Sequence, residues 1–202
     1  MIKAILFDID GTLLDSDEAL YRLFRDALKI LGKRPKSKDE ILKYSGLTAQ
    51  EWLFKLAGKI DKEKLKQAHG YLVQDFTDRI KKARPMKHAE HVLKELKKRG
   101  IKTAIITNQE HEEIVQSMHQ LHEHVSLISY AGKKHKPNPF AINQALKKFN
   151  VKKREAIYVG DSQTDVLTGK NAKVKTLILT HQRNKKLKAE KINDLLEVLK
   201  FL

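Results

Sequence analysis

Two hydrophobic patterns divide the chain. Residues 2–7 (IKAILF) are a short apolar run rich in strand formers, which predicts a buried strand. Across residues 16–82 the apolar positions instead recur at helical spacing. In EALYRLFRDALKIL, Leu20, Leu23, Phe24, Ala27, Leu28 and Leu31 share one helix face. GKRPKS, with Gly32 and Pro35, interrupts it. SKDEILKYSG, LTAQEWLFKLAG and DKEKLKQAHGYLVQDFTDRIKKA then resume the helical period. Ser37 and Asp61 are starting caps, and Gly46 and Gly58 are helix ends.

Pro85 marks a second change. MKHAEHVLKELKKRG predicts a helix ending at Gly100, IKTAIIT a strand, EEIVQSMHQL a helix and VSLISY a strand. NPFAINQALKKFN predicts a helix, EAIYVG a strand, SQTDVLTGKNA a helix, VKTLILT a strand and AEKINDLLEVLKFL a closing helix. Strands alternating with helices imply right-handed crossovers and a parallel sheet with helices on both faces. The fold class that follows is α/β: a Rossmann-like doubly wound core, residues 1–15 and 84–202, with an all-α cap inserted at 16–83.

Composition narrows the setting. The chain of 202 residues is 41% hydrophobic and contains no cysteine, which suits a globular protein and excludes disulfides and thiol-ligated metals. No stretch is long and apolar enough to cross a bilayer, and the first residues read into a strand instead of a signal peptide, so a cytoplasmic protein without a membrane partner is expected. The formal charge of +16 draws attention to anionic partners.

Polar residues collect where strands end. AILF runs into Asp8 and Asp10, TAIIT into Thr107 and Asn108, and AIYVG into Asp161; the loop AGKKHKPNP after LISY carries Lys136. In an open parallel sheet these carboxyl ends share one edge, the edge at which ligands bind. Asp8, Asp10 and Asp161 crowded there need a cation, and oxygen ligands without histidine or cysteine favour Mg²⁺. Gly11 lets the chain turn and its amides approach an anion, while Thr12 adds a hydroxyl or caps the next segment.

DIDGT, IITN, KPNP and GDSQTD, in this order, resemble the four motifs of the haloacid dehalogenase-like hydrolases. The helical insert resembles the small cap of the phosphoglycolate phosphatase and β-phosphoglucomutase branch. The resemblance implies that Asp8 is a nucleophile that takes up a phosphoryl group, and that Asp10 is general acid and then base, its carbonyl also holding the metal. It implies that Asp161 completes the Mg²⁺ site, with Asp165 as support. Thr107 and the Asn108 backbone would grip the phosphoryl oxygens, and Lys136 would offset charge. Lys173 departs from the glycine usual among relatives.

The implied reaction is hydrolysis of a small phosphate monoester, a phosphorylated metabolite. Ser16 and Asp17 are candidate hinge residues. Tyr44–Thr48 falls where relatives carry a specificity loop, although Gly46 also reads as a simple helix end and Thr48 as a cap. Trp52 and Phe54 read as cap core. A phosphomutase shares the same core motifs, and the cap must decide between the two. The basic clusters, RNKKLK among them, admit a nucleic-acid-binding protein or a phosphatase of nucleic-acid ends. They are scattered without a recognition motif, and solvated helix faces explain them better. His88 with His91, and His119 with His122, pair on helix faces but lack further ligands for zinc.

Overall fold

The computed structural model describes residues 1–80, 83–108, 121–130 and 134–202. The expected helix EEIVQSMHQL, with His119, lies outside the described residues except for its final Leu121.

Six parallel strands form the main sheet: β1 (Ala4–Phe7), β4 (Lys102–Thr107), β5 (Leu127–Tyr130), β6 (Ala156–Gly160), β7 (Lys175–Leu179) and β8 (Lys191–Ile192). Their order is β5-β4-β1-β6-β7-β8. Strand β1 is buried on both sides, so its alternate residues feed two cores. Ile5 and Phe7 pack with Ile105 and Val159 toward Val92 and Leu93 of α5 (Ala89–Lys98). Ala4 and Leu6 pack with Ile106 and Tyr158 toward Ile142 and Leu146 of the helix Phe140–Phe149, here α6. The helix Gln163–Ala172, here α7, adds Ala172 to that second core. Helices thus cover both faces of a Rossmann-like α/β sheet.

The expected closing helix takes another form. Ile192 is 2% exposed because it extends beside β7 and hides under the sheet edge. Asp194 then caps a 3-10 segment, Leu195–Phe201, by accepting the Leu196 N–H at 2.9 Å. Leu195 and Val198 face the core at the three-residue period of that helix.

Between β2 (Leu14–Asp15) and β3 (Arg84–Pro85) the chain forms α1 (Asp17–Ile30), α2 (Lys38–Leu42), α3 (Ala49–Ala57) and α4 (Lys62–Ile80). Strands β2 and β3 pair antiparallel, so the outgoing and returning chains are stitched together at a neck. The helices build their own apolar cluster from the α1 face expected above, together with Ile41, Trp52, Leu53 and Leu72. Ser37 and Thr48 cap α2 and α3 through reciprocal bonds with Glu40 and Glu51. Trp52 is core, stacked on Phe24 with ring centroids 4.0 Å apart and donating to the Ile41 carbonyl at 2.7 Å. Phe54 is not core: two positions along the same helix it turns outward and is 56% exposed. Lys173 closes α7 in the left-handed region at φ 59°, a conformation that favours glycine.

Candidate active site

Strand β1 has β4 on one side and β6 on the other, and the chain order reverses around it. A crevice opens beyond the carboxyl end of such a strand. Asp8 enters it directly from β1, its N–H anchored on the Val159 carbonyl at 2.8 Å. Thr107 ends β4 and Asp161 follows β6; both are buried.

Lys136 reaches the same point from the loop before α6. It is 3% exposed, and its ammonium donates to Asp8 Oδ1 at 2.6 Å and to Asp165 Oδ1 at 2.9 Å. Burial works against that charge, but Asp165 and Asp8 outweigh it and hold the ammonium protonated. Asn108 fixes the loop. Its Oδ1 accepts the Lys136 N–H at 2.6 Å, and its Nδ2 donates to the Lys136 carbonyl at 3.3 Å and to the Gly46 carbonyl at 3.0 Å. One amide therefore ties the lysine loop to the helical layer above it.

Asp165 sits one turn into α7, where Ser162 caps the helix. Its Oδ1 takes the Tyr158 hydroxyl at 2.5 Å as well as Lys136. Its Oδ2 takes the Ser162 hydroxyl at 2.5 Å and the N–H groups of Ser162 and Asp161 at 3.1 and 3.3 Å. Burial opposes its charge, yet Lys136, Ser162 and Tyr158 together hold the carboxyl below its usual value. Asp8 goes the other way: burial first, then Asp165, push it well up against the pull of Lys136. Burial likewise raises Asp161 to about 7, with Arg183 pulling it down. Carboxyls that resist ionising in the bare protein are what a cation would relieve.

The donor set fits one. Asp8, Asp161 and Asp165 each bring a carboxylate oxygen within 4.8 Å of the others. Asp161 Oδ1 is buried with no hydrogen-bond partner among the described residues. Both Asp165 oxygens are already saturated, so its part is to brace the site. The ligands on offer are hard oxygens, the type that Mg²⁺ takes.

A cavity connects this floor to the helices. Asp8, Asp10, Thr107, Asn108 and Lys136 line its base, and side chains of α1, α3 and α4 line its walls. Trp52 is one of these, so it serves both the helical core and the cavity. Gly46 closes one side. At φ 89°, its position for a Cβ would lie 2.6 Å from Ser162 Oγ. It does not end a helix as expected, because α2 stops at Leu42 with Lys43 as its cap; it lets the loop touch the α7 cap instead. Gly11, also at positive φ, passes so close to Arg183 and Asp161 that a side chain has no room. Its carbonyl accepts from His181 Nε2 at 2.5 Å. Thr12 is fully buried, its hydroxyl without a hydrogen-bond partner among the described residues.

Sequence reasoning missed several members. Arg183 was hidden in the basic run RNKKLK, yet its guanidinium pairs with Asp17 and with Asp161 and is largely buried. Asn184 Nδ2 donates to the carbonyls of Asp161 and Leu179, at 2.7 and 2.8 Å, holding that loop against the site. Tyr158 gave the one available signal, a phenol inside an apolar strand that needs a partner. His88 turns to Asp194, 2.8 Å away, and His91 is exposed.

Residues 5–179 match the family model described as haloacid dehalogenase-like hydrolase. The chain belongs to the haloacid dehalogenase-like hydrolases. It is 28% identical over 221 residues to a phosphoglycolate phosphatase of Vibrio parahaemolyticus, covering 98% of this chain and 96% of that protein. It is 26% identical over 182 residues to pyrophosphatase PpaX of Bacillus cereus, covering 87% of this chain and 82% of that protein. A haloacid dehalogenase-like hydrolase of Bacteroides fragilis shares the fold with a TM-score of 0.87 at 24% identity, over 98% of this chain and 100% of that one. The floor of the cavity in this hydrolase is lined by residues of DIDGT, IITN and KPNP, with Asp161 and Asp165 of GDSQTD packed beside Asp8. No helix among the described residues is long and apolar enough to cross a membrane.

Proposed function

We propose that this hydrolase is a Mg²⁺-dependent phosphatase that cleaves a small phosphate monoester through an aspartyl-phosphate on Asp8. The observation that carries the reading is the buried Lys136–Asp8 pair, 2.6 Å apart, at a carboxylate cluster on the cavity floor. In this reading residues 1–15 and 84–202 are the catalytic core and 16–83 a cap that covers it. The phosphatases named among its relatives support the reaction class.

An Asp8 carboxylate oxygen attacks phosphorus, forming a P–O bond as the bond to the leaving oxygen breaks. Lys136 holds Asp8 in place and offsets charge on the equatorial oxygens. Thr107 and the Asn108 backbone bind those oxygens, with Gly11 and Thr12 in the turn beside them. Asp10, half-buried at the cavity floor, gives its proton to the leaving oxygen. It then takes a proton from the water that attacks the aspartyl-phosphate, releasing phosphate and restoring the Asp8 carboxylate. Mg²⁺, held by Asp8, Asp161 and the Asp10 carbonyl with Asp165 behind them, supplies further charge neutralisation when bound.

The test is phosphate release from a panel of phosphate monoesters with and without Mg²⁺, for wild type and Asp8→Asn. Release by the wild type alone, and only with the metal, is expected. Equal release by both proteins contradicts the role given to Asp8.

A further inference from the structure

The cavity floor is polar and charged; its walls are mainly apolar. Leu20, Leu23 and Phe24 of α1 line the space beside Asp8 and Asp10 together with Leu47, Trp52 and Leu72. The chain carries 41 lysines and arginines, yet among the described residues none reaches the cavity from the helical side. The one lysine that lines it among the described residues, Lys136, is committed to Asp8 and Asp165. His69, half-buried on α4, is the single titratable side chain on those walls among the described residues.

This arrangement has a direct consequence for the leaving group. A carboxylate or second phosphate beyond the scissile bond would enter a mainly apolar chamber in which, among the described residues, only His69 could meet it. Losing water there without a partner costs several kcal/mol per charge. An alkyl or aryl group loses nothing and gains about 0.8 kcal/mol per buried methylene. Among the described residues, none of this protein's many lysines and arginines lines the helical walls of this cavity.

We propose that the substrate is a phosphate monoester whose leaving group is uncharged and mainly apolar, seated in the cavity that Leu20 and Leu23 of α1 line together with Leu47. The inference rests on the phosphatase reading and adds the substrate class. It separates this chain from the substrates named for its relatives, phosphoglycolate and pyrophosphate, both of which carry a second negative group.

Linear alkyl phosphates from ethyl to hexyl provide the test, because their leaving alcohols have nearly the same basicity and differ in buried area. With the intact protein and saturating Mg²⁺, kcat/KM should rise about fourfold per methylene until the cavity is filled, the fold-change that 0.8 kcal/mol corresponds to. Hexyl phosphate should exceed 2-phosphoglycolate and pyrophosphate. Leu47 is a half-buried loop position, so Leu47→Arg adds a cation to the wall with little risk to folding. That variant should turn less of the hexyl ester and more of the phosphoglycolate. A flat alkyl series, or a preference for the anionic substrates, overturns the substrate class and leaves the phosphatase reading standing. No release from any ester or from pyrophosphate overturns both.

Discussion

Lys136 Nζ lies 2.6 Å from Asp8 Oδ1, and both side chains are buried. The lysine also bridges to Asp165, so one ammonium serves two carboxylates. Removing one partner of such a buried pair leaves uncompensated charge and costs about 3–5 kcal/mol. Lys136→Met should therefore lower the denaturation midpoint and reduce kcat by roughly 10²–10³, as expected on losing a preorganised charge donor. Chemical denaturation and steady-state kinetics on the same preparation check this. A variant with full stability and full kcat would contradict it.

Arg183 plays a comparable part for Asp161, a carboxylate only 1% exposed. It also holds Asp17, the residue that opens α1 beyond the neck. Arg183→Gln should destabilise the metal-free protein more than the Mg²⁺-loaded one, because the metal replaces the lost countercharge on Asp161. Thermal unfolding with and without Mg²⁺ should show a larger Mg²⁺-induced rise for the variant than for wild type. An equal rise contradicts the pairing of metal and arginine at one carboxylate.

Gly46 permits close contact between the loop Tyr44–Thr48 and Ser162. Gly46→Ala would press on the Ser162 hydroxyl and pull the Gly46 carbonyl from Asn108. Small displacements of positioning groups cost up to about 10²-fold in rate, whereas the strain of a left-handed alanine is about 1–2 kcal/mol. The expected result is a fall in kcat/KM of about tenfold or more with a modest loss of stability. Unchanged kcat/KM would show that this contact does not matter to turnover.

Asp194 gives a pH-dependent contribution away from the catalytic groups. Burial opposes its charge, but the Leu196 N–H and His88 hold its carboxyl below the ordinary value of 3.8. A depressed carboxyl stabilises the fold above its unfolded value, and that contribution disappears as the pH falls through the folded one. Asp194→Ala should cost about 1 kcal/mol at pH 7, the usual value of a lost cap. The gap from wild type should close as the pH is lowered below 3.8. A constant gap from pH 7 to pH 3 contradicts the assignment.

Much of this was legible in the chain itself, for a physical reason. A doubly wound sheet buries its strands on both faces, so AILF, TAIIT and AIYVG stand out as apolar runs whose ends must carry the chemistry. The α1 face was equally clear, because Leu20, Leu23, Phe24, Ala27 and Leu28 follow one helical period. The closing segment was not. Its leucines fit either an α-helix or a 3-10 turn, and only the sheet edge beside β7 draws Ile192 into a strand. Arg183 was illegible because charge runs usually face solvent, and nothing local reveals that Asp17 and Asp161 converge on it. The side chain of Asn108 was hidden for a similar reason: its partners, Gly46 and Lys136, lie far away in sequence.

The central claim is that Asp8 itself takes up the phosphoryl group. An acyl phosphate can be reduced by borohydride, which converts the phosphorylated aspartate to homoserine. The protein should be quenched during turnover of a phosphate monoester with Mg²⁺, reduced, and mapped by peptide mass. The account predicts the homoserine mass change at Asp8, dependent on substrate and absent without it. An unmodified Asp8 peptide from a preparation that is actively releasing phosphate would contradict it.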